Sequence, residues 1–186
     1  EKIPPQPLFK NEILFHPYLG FSQPPDGEIS LETWQKFYGG SLDEYNRLPK
    51  EQWNRNNYGY QAASDYPLQD DDQEYLIGIF GGSVANSFAL TGQQALIKNL
   101  QKHPLFKGKN IRVLNFSQPG YKQPQQLIAL IYFLALGQNF DIIIALDGFN
   151  EVTLGAKNHE LGRHIAMPSM SHLIPLLGRL GGARID

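Results

Sequence analysis

From residue 75 onward, short apolar segments alternate with longer segments of helical periodicity. Three apolar runs, at 75–80, 111–116 and 141–146, predict strands. They lack polar alternation, which is typical of strands buried on both faces of a parallel sheet. Between them, apolar positions at helical spacing predict one helix at about 84–103 and a second at 125–136. This order of strands and helices predicts an α/β fold in which helices cover a parallel sheet in three layers.

The first 74 residues have a different character. They contain 13 Asp and Glu against 6 Lys and Arg, 8 of the 13 prolines and 12 of the 22 aromatic residues. Disordered segments are normally poor in aromatics, so the rings favour an ordered layer over a disordered tail, which is the alternative. We therefore predict that residues 1–74 form an irregular extension packed on the core. Residues 75–186 then form the α/β domain, and we expect it to be incomplete at its C-terminus, because only three strands are recognisable where about five are usual.

Composition narrows the possible functions. The 186 residues include no cysteine, which excludes disulfides, thiolate zinc sites and a cysteine nucleophile. The net charge of −2 argues against a nucleic-acid partner. The longest apolar segment, 127–137, is shorter than the roughly 20 residues of a membrane span, so a membrane anchor would have to lie upstream. His159 and His164 are five apart rather than the four of a zinc protease motif, and we expect no metal and no cofactor.

Each predicted strand is followed by a loop that combines glycine with a small polar residue. Gly81-Gly82-Ser83 follows the first strand, Gly120 closes the loop after the second, and Asn150 lies in the loop after the third. The carboxyl ends of parallel strands meet at one edge of the sheet, where ligands bind. A serine at a strand-to-helix turn suits acyl transfer, which also needs donors for the oxyanion. The Ser83 N–H, the Gly120 N–H and the Asn150 side-chain amide are the candidate donors.

These three blocks resemble the first three blocks of the SGNH (GDSL-type) hydrolases. The resemblance implies a flavodoxin-like α/β/α sandwich and a serine esterase or acyl transferase that acts on an ester or O-acyl group of a small molecule or glycan. It also implies that Ser83 is the nucleophile, and that Ser83, Gly120 and Asn150 supply the oxyanion donors. Segments 16–20 and 57–60 resemble the lead-in of a bacterial branch of the superfamily, and a location outside the cytoplasm, in the cell envelope, is favoured on that ground.

The sequence departs from the family pattern in two ways. Gly82 stands where many members have aspartate, and no Asp in the chain is followed three positions later by His. A serine at its ordinary acidity needs an adjacent base. We expect that base to lie outside these 186 residues; the substitutes within them are His159, His164 and His172.

Simpler interpretations of the same residues remain open. Ser83 could be a helix cap with no catalytic role, and Gly120 could be a turn residue with no role in binding. Asn150 could cap a helix beginning near Glu151. The corresponding alternative functions are a catalytically silent binding or scaffold module and a flavodoxin-like domain that binds an anion or flavin at 81–83. The sequence does not indicate an oligomeric state.

Overall fold

A computed structural model describes residues 13–68 and 74–179. The first of these ranges contains a short antiparallel pair of strands followed by three helices. They are β1 (Leu14–His16), β2 (Gly20–Ser22), α1 (Leu31–Tyr38), α2 (Leu42–Arg47) and α3 (Lys50–Trp53).

The second range forms the α/β core. Its elements are β3 (Glu74–Gly81), α4 (Ser83–Thr91), α5 (Gln93–Leu100), β4 (Asn110–Ser117), α6 (Gln125–Ala135), β5 (Ile142–Leu146), α7 (Phe149–Glu160) and α8 (Met170–Arg179). The three strands are parallel and lie in the order β4-β3-β5, which confirms the predicted α/β class. Within the two described ranges, no helix has the length and hydropathy that crossing a bilayer would require.

Helices cover both faces of this sheet. Ile79 packs with Ala85 and Ala89 of α4, whereas its neighbour Phe80 belongs to the cluster that contains Phe133 of α6. Successive residues of a strand point to opposite faces, so α4 and α6 lie on opposite sides of β3. The fold is therefore a flavodoxin-like α/β/α sandwich.

Two details of the predicted elements are wrong. The single helix expected at 84–103 is two helices, because Gly92 ends α4 and precedes α5; its N–H donates to the Phe88 carbonyl at 2.7 Å. Glycine is the weakest helix former after proline, which is why the break falls there. The third strand is not buried on both faces: Ile143 is 45% exposed. Alternate residues of β5, Ile143 and Ala145, are exposed, so one face of this strand lacks cover from the described residues.

Aromatic residues hold the first described range against the α6 face of the core. Tyr66 stacks on Phe116 of β4 with ring centroids 4.4 Å apart, and Tyr60 packs edge-on against the same ring. Farther along, the Tyr121 hydroxyl donates to the Phe21 carbonyl at 3.0 Å. Burial of these large rings is the main favourable contribution of this segment to the packing against the core.

Tyr66 provides a test of how strongly this segment stabilises the fold. Its buried hydroxyl accepts a hydrogen bond from the Asn115 N–H at 3.0 Å and lies 3.3 Å from the Asn115 carbonyl oxygen. Tyr66→Phe removes that acceptor, and we expect the free energy of unfolding in urea to fall by about 1–3 kcal/mol. Tyr18→Phe is the control, because the Tyr18 side chain is mostly exposed. A loss of the same size in both variants would contradict this account.

Candidate active site

The three loops leave the sheet side by side. Gly81, the last residue of β3, is in register with Ser117 at the end of β4 and with Leu146 at the end of β5. The loops that carry Ser83, Gly120 and Asn150 therefore begin at the same edge.

Ser83 is the first residue of α4, and its side chain is exposed. The residue that caps this helix is Gly82, whose carbonyl accepts the Asn86 N–H at 3.0 Å. The interpretation of Ser83 as a helix cap is therefore wrong. The first N–H groups of a helix have no partner within it and carry the positive end of the helix dipole. The Ser83 hydroxyl thus lies where a developing negative charge is stabilised.

Asn150 brings the third loop onto the first. Its Nδ2 donates to the Tyr121 carbonyl at 2.7 Å, and a Cβ atom added to Gly82 would lie 2.2 Å from the same nitrogen. The amide therefore covers the backbone immediately before Ser83, and this close approach leaves no room for a side chain at position 82. Helix α7 begins at Phe149, so Asn150 lies within the first turn and does not cap a helix starting near Glu151. The alternative interpretation of Asn150 as a helix cap is therefore wrong.

Gly120 lies between this arrangement and α8. Its φ of +86° is in the left-handed region, which favours glycine. A Cβ atom there would also lie 2.5 Å from the Nε2 and Cε1 atoms of His172. Gly120 is buried and directly precedes Tyr121, the residue that accepts from Asn150. Gly120 therefore does more than relieve a turn, because the His172 imidazole could not approach a residue with a side chain at position 120.

A buried hydrogen-bond network holds α4 in place below Ser83. The Asn115 Nδ2 donates to the Asn86 Oδ1 at 2.8 Å, and the Asn86 Nδ2 donates to the Gln61 Oε1 at 2.8 Å. Asn86 lies one turn after Ser83 on α4 and is almost fully buried. Buried amides that satisfy one another restrict a helix to one position. This network therefore links the first described range, β4 and the helix that carries Ser83.

Two acidic residues near the edge have structural roles. Glu151 accepts the Gln123 N–H and the Gly148 N–H, both at 2.7 Å, through its two carboxylate oxygens. Asp147 accepts from the Gln123 Nε2 at 2.7 Å. These bonds fix the loop before α7 against the loop before α6, and so fix Asn150 relative to Gly120.

His172 is the one of the three substitute bases that borders the same cavity as Ser83. Its ring stacks on Phe21, with centroids 4.8 Å apart and planes 6° apart, and its Nδ1 lies 3.0 Å from the Ser169 Oγ. Burial lowers the pKa of His172 below its ordinary value. His159 and His164 are both exposed, and the His164 Nδ1 accepts the Ala166 N–H at 3.1 Å.

Ser83 lies between two cavities. One, of about 170 Å³, is lined by Ser83, His172, Gln118 and apolar side chains of the first described range. The other, of about 300 Å³, is lined by Ser83, Asn150 and the loop before α7. Ser83 and the His172 imidazole therefore border the cavity of about 170 Å³, and Ser83 and the Asn150 amide border the cavity of about 300 Å³.

Only the tertiary structure distinguishes His172 from the other histidines. The spacing of Ser169 and His172 in the sequence gives no reason to connect them with Ser83, which lies almost 90 positions before His172. No cluster of three or more His, Asp or Glu residues suited to a metal ion occurs within residues 13–68 and 74–179.

Comparisons with known proteins add no family assignment. No protein-family model matches this chain, and no curated protein sequence matches it either.

Proposed function

We propose that the protein is a serine-dependent ester hydrolase or acyl transferase of the SGNH type, with Ser83 as its nucleophile. The observation that carries the proposal is the position of the Asn150 amide over Gly82, next to an exposed serine at the first position of a helix. A serine that only begins a helix has no need of an amide donor beside its backbone.

In the proposed reaction, the Ser83 Oγ attacks the ester carbonyl carbon, and the carbonyl oxygen becomes an oxyanion. The Ser83 N–H, the Gly120 N–H and the Asn150 Nδ2 are the proposed donors. An asparagine amide has two hydrogens, and donation of one to Tyr121 sets the direction of the other. Each such donor contributes about 10²–10³ in rate.

We assign the general base to His172. A proton on Nδ1, donated to the Ser169 Oγ, leaves the basic lone pair on Nε2. Nε2 accepts the proton of Ser83 across the shared cavity, directly or through one water molecule, and returns it to the alcohol that leaves. Water or a second alcohol then gives a proton to Nε2 and attacks the acyl carbon, the bond from that carbon to the Ser83 Oγ breaks, and Oγ takes the proton back; the products are those of hydrolysis or transfer respectively. The lowered pKa of His172 suits this role, because a base must be neutral at the working pH.

Labelling with a fluorophosphonate tests the proposed nucleophile. We expect the folded protein to be modified once, at Ser83, when the labelled peptide is identified by mass spectrometry, because only an activated serine reacts rapidly with this probe. Protein unfolded in urea is the control and should not react. An unlabelled folded protein would contradict the proposal and favour the silent binding module. A label on another serine would also contradict Ser83 as the nucleophile.

A further inference from the structure

The cavity of about 170 Å³ beside Ser83 has an apolar wall supplied by the segment before the α/β core. Ile13, Phe21, Ile29 and Trp53 line it, and all four are buried. Ser83 and His172 lie at the side of the cavity formed by the core and α8. The first described range therefore builds a binding space at the nucleophile in addition to covering the core.

The size of the cavity sets a limit on what it holds. A protein cavity of about 150 Å³ binds one benzene molecule, so this one accommodates about six carbon atoms. Its wall is rigid: Trp53 packs edge-on against Trp34 at 4.9 Å, and it belongs to a buried cluster with Ile29 and Leu90. Expansion to admit a fatty chain would require repacking this cluster.

The burial of the apolar residues that line the two cavities distinguishes the two halves of an ester. The apolar wall of the smaller cavity suits the acyl chain. Arg55, Glu28 and Gln23 also line it, and polar groups of this kind are unsuited to a long hydrocarbon chain. The larger cavity also has an apolar lining, but its Val84 and Phe149 side chains are 62% and 69% exposed, so it opens to solvent and suits a polar alcohol.

We infer that the smaller cavity is the acyl-binding site and that the substrate is an ester of a short, apolar acyl group of about two to six carbons. This inference rests on the proposed function. It makes the segment before the core, rather than the loops that carry the catalytic groups, the part of the chain that determines acyl specificity.

Ser87 offers a way to fill the cavity without touching the buried wall. It lies one turn after Ser83 on α4, is exposed, and lines the cavity. Ser87→Phe places a ring in the space that the end of the acyl chain would occupy. Thr91→Phe adds the same ring one turn farther along the same helix; Thr91 is exposed and is not among the residues that line the cavity.

The experiment compares kcat/KM for p-nitrophenyl esters with acyl chains of two, four, six, eight and twelve carbons. In the unaltered protein, we expect kcat/KM to be highest between two and six carbons and to fall at eight and twelve. Ser87→Phe should lower the ratio of hexanoyl to acetyl kcat/KM about tenfold or more, the size of effect that one or two methylenes have in a tight pocket. Thr91→Phe should leave this ratio unchanged.

The possible outcomes separate this inference from the proposed function. If Ser83 is labelled by the fluorophosphonate but kcat/KM rises continuously to twelve carbons, the smaller cavity is not the acyl-binding site, while Ser83 is still supported as the nucleophile. The same holds if Ser87→Phe leaves the chain-length ratio unchanged. If Ser83 is not labelled and no ester is hydrolysed, the proposed function itself fails.

Discussion

Ser83→Ala is expected to lower kcat for ester hydrolysis by about 10³–10⁶, leaving only the activity that binding and the oxyanion donors provide. Removing Oγ abolishes the covalent step, while the donor positions at the Ser83 N–H, Gly120 and Asn150 are retained. Hydrolysis of p-nitrophenyl acetate measures the change, and the same variant should no longer react with the fluorophosphonate.

The fold should tolerate this substitution. Ser83 is exposed, and Gly82 rather than Ser83 caps α4, so we expect the free energy of unfolding to change by less than about 0.5 kcal/mol. Ser171→Ala is the matched control, since Ser171 is also an exposed serine in the first turn of a helix. It should keep full activity. Equal activity in Ser83→Ala and Ser171→Ala would eliminate Ser83 as the nucleophile.

His172→Phe is expected to lower kcat/KM by about 10²–10⁴, the contribution of a well-placed general base. Phenylalanine preserves the stacking on Phe21 and the contact with Gly120 but removes both ring nitrogens. The variant should therefore stay folded, which a urea titration checks. His164→Phe, at an exposed position, is the matched control and should retain activity.

The pH profile distinguishes a base from a residue that only packs. Because burial lowers the pKa of His172 below 6.5, the neutral base persists to a lower pH than in an ordinary histidine. We expect kcat/KM to rise with pH through this lowered pKa and to be level above it. Arg55 and Glu28 are the charged groups that line the same cavity.

In His172→Phe this acid limb should disappear, leaving a low rate that is independent of pH across the same range. A variant that is equally slow but keeps the limb would show that His172 has a packing role and that another group is the base.

Much of the fold is predictable because it depends on local patterns. The uninterrupted apolar runs specify buried parallel strands, and glycine with small polar residues specifies the turns that follow them. Gly92 and Ile143 are positions where the local pattern does not determine the structure. Periodicity alone does not show that a helix breaks at a glycine, and a β-branched sequence does not show that one face of a strand is left exposed.

For the candidate site too, some features follow from the sequence and others only from the tertiary structure. The chain itself determines that Ser83, Gly120 and Asn150 follow consecutive strands, and parallel pairing then brings their loops to one edge. Only the tertiary structure decides that the Asn150 amide lies over Gly82, that His172 stacks on Phe21 beside Gly120, and that Trp53 and Ile29 close a cavity at Ser83. The physical reason is the separation of the interacting residues along the sequence. Strand and turn preferences act between neighbouring residues, whereas these contacts join residues far apart in the chain. Their positions depend on the packing of whole helices and of the segment before the core.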